Sequence, residues 1–376
     1  MIRALLVAIA MLAAGSSIGL AETLDDQLAS RLTFWRAQAF HCAAPSGFVF
    51  PSGHNTDTRQ PCEDGDMVLF AGLLCAVGEE EGCETVRRSQ KLVAGDDLGR
   101  WYRSPRRMEN GNDADGDGRT EEDEDESQDL DGDGHFDEHE RSTFSYDMAL
   151  GTMLYLVAKR DVMAGQAWWD WLDGYTPCVT EFLGRCLLRG LPRFCAPAGC
   201  TIRPEPLGDY AMLAEAGAFL GLKAKAGNFQ KFLEDADGKA ASHKPQNARM
   251  NDEGYSEHIV GVGILLMRLM GREHPDLAEA AAILNCEKPA NLLERVTLDP
   301  RACASKSPEN AFFLFLRDGV TDQVRQSVLD RCPAPERMPV PADTRDWIWQ
   351  RHNDDLSWRT SMYWDCIFMA RLLGIT

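Results

Sequence analysis

Apolar residues gather in runs that are hydrophobic on nearly every side, and several such runs are followed by a stretch with one apolar and one charged face. The first run covers 66–74 and stops by Gly78. The second starts at Asp147 and turns at Lys159, Arg160 and Asp161. Others cover 210–222, 258–270 ahead of Gly271, and 363–373 ahead of Gly374. A helix that is apolar all round must be buried on all sides, whereas amphipathic partners such as 161–172 and 275–284 belong outside. The pattern predicts a mainly α fold. It is either an α/α-toroid-like ring of inner helices inside outer ones or an irregular helical array of helix pairs. Thr23 caps a first helix that runs to about Phe40, and Asp26, three residues on, completes a capping box. Strand signals are sparse, the best being Phe48, Val49 and Phe50.

The chain start modifies this picture. Arg3 precedes an apolar run over 4–14, and Gly19, Leu20 and Ala21 offer a small-residue cleavage site, so 1–21 reads as a signal peptide. The run is too short to span a bilayer, and no later segment is long and charge-free enough to do so. The expected location is exported, periplasmic or secreted. All 12 cysteines lie beyond residue 21, an even number that suits disulfides in an oxidising compartment. Nearest-neighbour pairing gives Cys42/Cys62, Cys75/Cys83, Cys178/Cys186, Cys195/Cys200, Cys286/Cys303 and Cys332/Cys366. A zinc site from Cys178, Cys186, Cys195 and Cys200 competes, but no C-x-x-C pair occurs.

Charge is concentrated in one place. Of the 376-residue chain's formal −20, a net −14 falls between Glu109 and Arg141, where 16 acidic residues face two arginines. Such a balance disfavours nucleic-acid binding, which needs a cationic face. The acids are ordered. Asp113, Asp115, Asp117, Arg119, Glu121 and Glu124 occupy positions 1, 3, 5, 7, 9 and 12 of a twelve-residue calcium loop, with Gly118 at position 6. Asp129, Asp131, Asp133, His135, Asp137 and Glu140 repeat the pattern with Gly134. Carboxylates at 1, 3, 5 and 12, a backbone carbonyl at 7 and a sharp Gly turn at 6 suit an oxygen-seeking cation.

These residues resemble the loops of the EF-hand superfamily over about 28 positions. Only Asp125, Glu126, Ser127 and Gln128 separate the two loops, and Pro105 and Gly111 interrupt the run so that no amphipathic helix precedes the first. The arrangement is therefore more similar to the compact D-x-D-x-D-G repeats of thrombospondin type 3 modules. The resemblance implies two structural Ca²⁺ ions rather than a sensor. The organisation expected is a signal peptide at 1–21, a helical domain from 22–108 resumed at 142–376, and a calcium insert at 109–141.

Polar residues collect just before the inner helices: Asp66, Asp147, then Glu257 and His258, with Trp364 at the last. In a toroid those starts converge, and paired carboxylates with aromatics there suit a glycosidic bond. The architecture is similar to that of α/α-toroid glycosidases and polysaccharide lyases, in pattern only. Asp66, Asp147, Glu257 and His258 are the candidate catalytic residues, and Arg103 and Trp364 the candidate substrate contacts. Asp147 could equally be an ordinary helix cap and His258 a core histidine. Two function classes follow: a calcium-stabilised hydrolase or lyase acting on a carbohydrate, or a non-catalytic binding or envelope-structural protein.

Overall fold

A computed structural model describes residues 22–51, 67–93, 98–110, 144–175, 178–182, 185–189, 209–224, 230, 233–234, 238–251, 254–306, 310–337 and 362–376. The fold is mainly helical. In chain order, α1 is Leu24–Gln38, β1 His41–Ala43, β2 Val49–Pro51, α2 Met67–Ala76, α3 Glu80–Arg88, α4 Pro105–Asn110, α5 Tyr146–Lys159 and α6 Val162–Tyr175. There follow β3 Cys178–Phe182, β4 Arg185–Arg189, α7 Asp209–Leu220, α8 Ala240–Met250, α9 Tyr255–Leu269, α10 Pro275–Leu284, α11 Leu292–Val296, α12 Ala311–Asp318, α13 Asp322–Arg331 and α14 Met362–Leu372. The strands form two antiparallel pairs, β1 with β2 and β3 with β4.

The helix ends follow from local chemistry. Thr23 and Asp26 form the expected capping box at the start of α1. Gly271 and Gly374 stop α9 and α14 in the left-handed region, at φ 71° and 84°. Each lets the next amide reach back to the helix, Arg272 N to Met267 O and Ile375 N to Ala370 O, both at 3.0 Å. The turn after α5 uses Arg160 at φ 51°, a conformation that costs a non-glycine residue energy.

Helices alternate between inside and outside. The described parts of α2, α5, α7, α9, α12 and α14 are buried almost throughout. Among them α2 packs on α5, α5 on α7 and α9, and α9 on α12, while α14 returns to α2. Phe312 of α12 meets Phe368 of α14 with ring centroids 5.7 Å apart, which closes the circuit. Outer helices lie across successive inner ones. α3 touches α2 and α5, α6 touches α5 and α7, α8 touches α7 and α9, α10 touches α9 and α12, and α13 touches α12 and α14, with α1 against α13 and α14. This is the inner-and-outer alternation of the toroid expectation, and the centre is filled because α5 meets α9 directly.

At the α2–α5 crossing the two backbones lie in close contact. A Cβ built on Gly72 would lie 2.2 Å from the Gly151 carbonyl oxygen, and one on Gly151 would lie 2.2 Å from that of Val68. Backbone, not a movable side chain, fills the space.

Three expected disulfides are present: Cys75–Cys83, Cys286–Cys303 and Cys332–Cys366. Cys42 is also disulfide-bonded, and its expected partner Cys62 lies outside the described residues. The Cys178/Cys186 expectation fails on register. Cys178 stands opposite Arg189, and Cys186 opposite Glu181. Three positions of offset at about 3.3 Å each put the two beyond the 4.4–6.8 Å Cα separation that a disulfide spans.

Two outcomes follow. Gly72→Ala or Gly151→Ala should lower unfolding free energy by about 1–3 kcal/mol or more, read by urea denaturation, because an extra methyl must force two backbones apart. Peptide mapping of the oxidised protein should find Cys178 and Cys186 linked to other cysteines, with Cys195 and Cys200 the available partners; a Cys178–Cys186 linked peptide would contradict the hairpin register.

Candidate functional site

The starts of three inner helices meet at one end of the molecule. α5 begins just after Ser145, α9 just after Gly254 and α12 just after Asn310. Gly254 has φ 111°, a value open to glycine, and this entry places Tyr255 at the first position of α9. The Tyr255 hydroxyl donates to Asp147 Oδ2, so a side chain from α9 bonds directly to one from α5. The other carboxylate oxygen, Oδ1, accepts from Ser145 Oγ and from the Met148 amide at 3.0 Å. Arg103 Nη2 donates to Ser145 Oγ at 3.4 Å. Ser145, Asp147 and Tyr255 are half-buried, while Arg103 is only 6% exposed.

Asp147 is therefore more than a helix cap. It is a partly open carboxylate held by two hydroxyls from different helices, with a buried cation behind. Such a group can take or hold a proton for a ligand at the helix starts. Ser145 occupies the cap position, yet its side chain is given to Asp147 rather than to a helix amide.

Glu257 and His258 are placed elsewhere. Both are fully buried. Glu257 pairs with Lys288 at 2.5 Å and with Lys306, and these side chains are almost equally enclosed. Lys288 also donates to Asn251 O at 2.5 Å, and the Lys306 ammonium lies 5.8 Å from the Phe313 ring centroid. Burial pushes the Lys288 ammonium below its ordinary pKa, and the Glu257 charge partly opposes this. The triad ties the start of α9 to the segments after α10 and before α12. His258 packs on Phe312 at 5.2 Å. Neither residue faces the Asp147 site. Positions 255 and 257 of a helix project roughly 200° apart, so Tyr255 and Glu257 cannot share a face.

Trp364 is also in packing. It is 4% exposed, its indole N–H donates to Phe40 O at 2.8 Å, and His41 lies edge-on at 5.1 Å. A ring so enclosed offers no face to a sugar. Trp168, Trp169 and Trp171 are buried too. Asp66 and all twelve calcium-loop residues lie outside the described residues. Among the described residues, no group of three or more His, Cys, Asp or Glu side chains could hold a metal ion. The residue underweighted in the sequence is Tyr255. Its signal was a tyrosine after glycine at an apolar helix start, overshadowed by the acid–histidine pair beside it.

A groove of about 620 Å³ lies at the opposite end of α5, lined by Glu80, Glu84, Arg87, Tyr155, Lys159 and Asp161 among others. These groups satisfy one another. Arg87 meets Glu84 at 2.6 Å, Lys159 meets Glu80 at 2.5 Å, and the Tyr155 hydroxyl donates to Asp161 at 2.7 Å. The Arg87 hydrogen bond, with help from Arg88, holds the Glu84 carboxyl down to about 2. Chemistry spent on internal pairs makes this the weaker candidate.

Replacing Glu257 by Gln should destabilise the fold by about 3–5 kcal/mol, since two buried ammonium groups lose their counter-charge. Urea denaturation reads this. A Glu257→Leu, Lys288→Met, Lys306→Met triple variant should recover most of the loss, which a role in binding or catalysis would not predict.

Comparison of the chain with protein-family models, with curated proteins and with solved structures finds no match in any of the three.

Proposed function

We propose that this chain is an exported, calcium-stabilised helical enzyme that acts on a carbohydrate through Asp147, with two Ca²⁺ ions bound by the tandem loops. The observation that carries the reading is the Arg103–Ser145–Asp147–Tyr255 chain of hydrogen bonds. Arg103 and Ser145 flank the acidic insert in sequence, so described residues from either side of it meet at the half-buried carboxylate. A calcium module would thus border the candidate site. The donor set of each loop, carboxylates at positions 1, 3, 5 and 12, fits a cation that takes 6–8 oxygens. The three disulfides among described residues suit an oxidising compartment. No helix of the described residues is long and apolar enough to cross a membrane.

A second reading, a non-catalytic binding or envelope protein, draws support from the burial of Glu257, His258 and Trp364 in packing. It differs from the first in what Asp147→Asn does.

Two measurements separate them. Calorimetric titration should count two Ca²⁺ ions, and a chelator should lower the melting temperature. Calcium at 100 times Kd contributes about 2.7 kcal/mol per site. Full-length protein with calcium should cleave at least one polysaccharide in a panel of neutral and acidic glycans, and Asp147→Asn should abolish cleavage with the melting temperature kept. Binding without cleavage throughout the panel would favour the second reading.

A further inference from the structure

We propose that Glu257 and Lys288 become joined side chain to side chain, by an isopeptide bond that forms after folding and fastens the start of α9 to the segment after α10. The bond is independent of what the Asp147 end of the molecule acts on.

Burial supplies the drive. Glu257 is wholly enclosed, and the side chains of Lys288 and Lys306 are 1% and 6% exposed. One anion and two cations are thus shut away from water, and each buried ion carries a desolvation cost that pairing only partly repays. In water, an amine and a carboxylate resist condensation because both charges are hydrated and water is abundant. Neither condition holds here. Condensation removes two of the three charges and expels one water from a site that excludes it.

Placement decides which lysine reacts. Lys306 is aligned as a hydrogen-bond donor to Oε2. Lys288 Nζ lies 2.5 Å from Oε1, yet among the described residues Oε1 accepts no hydrogen bond of ordinary geometry. The Lys288 amine therefore crowds the carboxyl without donor alignment. A C–O bond of about 1.2 Å puts Nζ at most about 3.7 Å from Cδ, close to the roughly 3–3.5 Å of a near-attack geometry. Burial favours the neutral, nucleophilic amine at Lys288. The Glu257 charge opposes this, and the Lys306 and Arg295 charges reinforce it.

The step balances. Lys288 Nζ passes one proton to Glu257 Oε1, which leaves a neutral amine beside a neutral acid. The nitrogen lone pair attacks Cδ, and the Lys306 ammonium holds the charge that builds on Oε2. The Cδ–Oε1 bond then breaks, and Oε1 departs as water with a second proton from Nζ. A C–N bond replaces a C–O bond, net charge is unchanged, and nothing is oxidised or reduced. The product's polar atoms have partners already in place. Oε2 becomes the amide oxygen and keeps its Lys306 donor. The amide N–H keeps the Asn251 carbonyl, to which Lys288 donates at 2.5 Å. The Cys286–Cys303 disulfide braces the same segment but opens under reduction, whereas this link would not.

The test digests full-length protein with trypsin after denaturation, reduction and alkylation, and maps the peptides by mass. Residues 250–268 carry Glu257, and residues 273–295 carry Lys288, whose bond to Pro289 trypsin does not cut. The expected result is a linked peptide in place of the two, lighter than their sum by one water, with fragment ions that put the link at Glu257 and Lys288. Lys288→Arg keeps the cation without the reactive amine and should give the two peptides separately. Separate peptides from the wild-type protein overturn the proposal, because an ion pair leaves no covalent trace. A link through Lys306, or a water loss that persists in Lys288→Arg, overturns it too. The wild-type map decides even if that variant does not fold.

Discussion

The structure depends on one constraint: its inner helices have no face that water can tolerate. α2 is buried along nine of its ten residues and α5 along ten of fourteen. A helix of that kind must be surrounded, and a row of them is satisfied only if it closes on itself. Closure falls to α14, which packs on α2 at one side and reaches α12 through Phe368 and Phe312 at the other. The Cys332–Cys366 disulfide ties that last inner helix to the segment just after α13. α1, first in the described chain, completes the outer layer against α13 and α14. α1 and α14 are thereby held in one closed set of contacts, so α14 cannot fray without opening the core.

Closure also decides where polar chemistry can occur. The starts of α5, α9 and α12 gather at one end, and each start carries partial positive charge that favours carboxylates in the first turn. Asp147 and Glu257 are both first-turn acids. Their fates differ because of what neutralises them. Glu257 faces inward, where a lone charge is costly, and two lysines meet it there. Asp147 faces outward and is held by hydroxyls, which can rotate away. The first arrangement fixes three segments in place; the second leaves a carboxylate able to exchange its partners.

Much of the helical layout was readable because burial leaves a compositional trace. The all-apolar runs at 66–74, 147–156, 258–270 and 363–373 fall on α2, α5, α9 and α14, and the segment 275–284 is α10. The site was harder to read. A run of Glu253, Gly254, Tyr255, Ser256, Glu257 and His258 does not say which member looks inward, since helical phase there depends on where the helix begins. Gly254 sets that beginning, and the phase puts Tyr255 toward Asp147 and Glu257 toward Lys288 and Lys306. Trp364 likewise looked like a sugar platform until Phe40 supplied a carbonyl for its N–H. The hairpin cysteines misled for a related reason: nearness in sequence says nothing about register.

The arginines around the acidic insert sharpen the case for metal. Four of them, Arg100, Arg103, Arg106 and Arg107, precede it and could be taken as its counter-charges. Arg100 and Arg103 are instead buried, Arg100 stacking on Tyr102 at 4.7 Å and Arg103 on Ser145 through its hydrogen bond. Glu109, at the insert's leading edge, accepts from Ser46 N and Oγ at 2.8 and 2.7 Å. Two of the four cations are therefore committed to the helical domain, and a net −14 over 33 residues cannot compact through them. Divalent cations bound at the loops' carboxylates would remove that repulsion at its source.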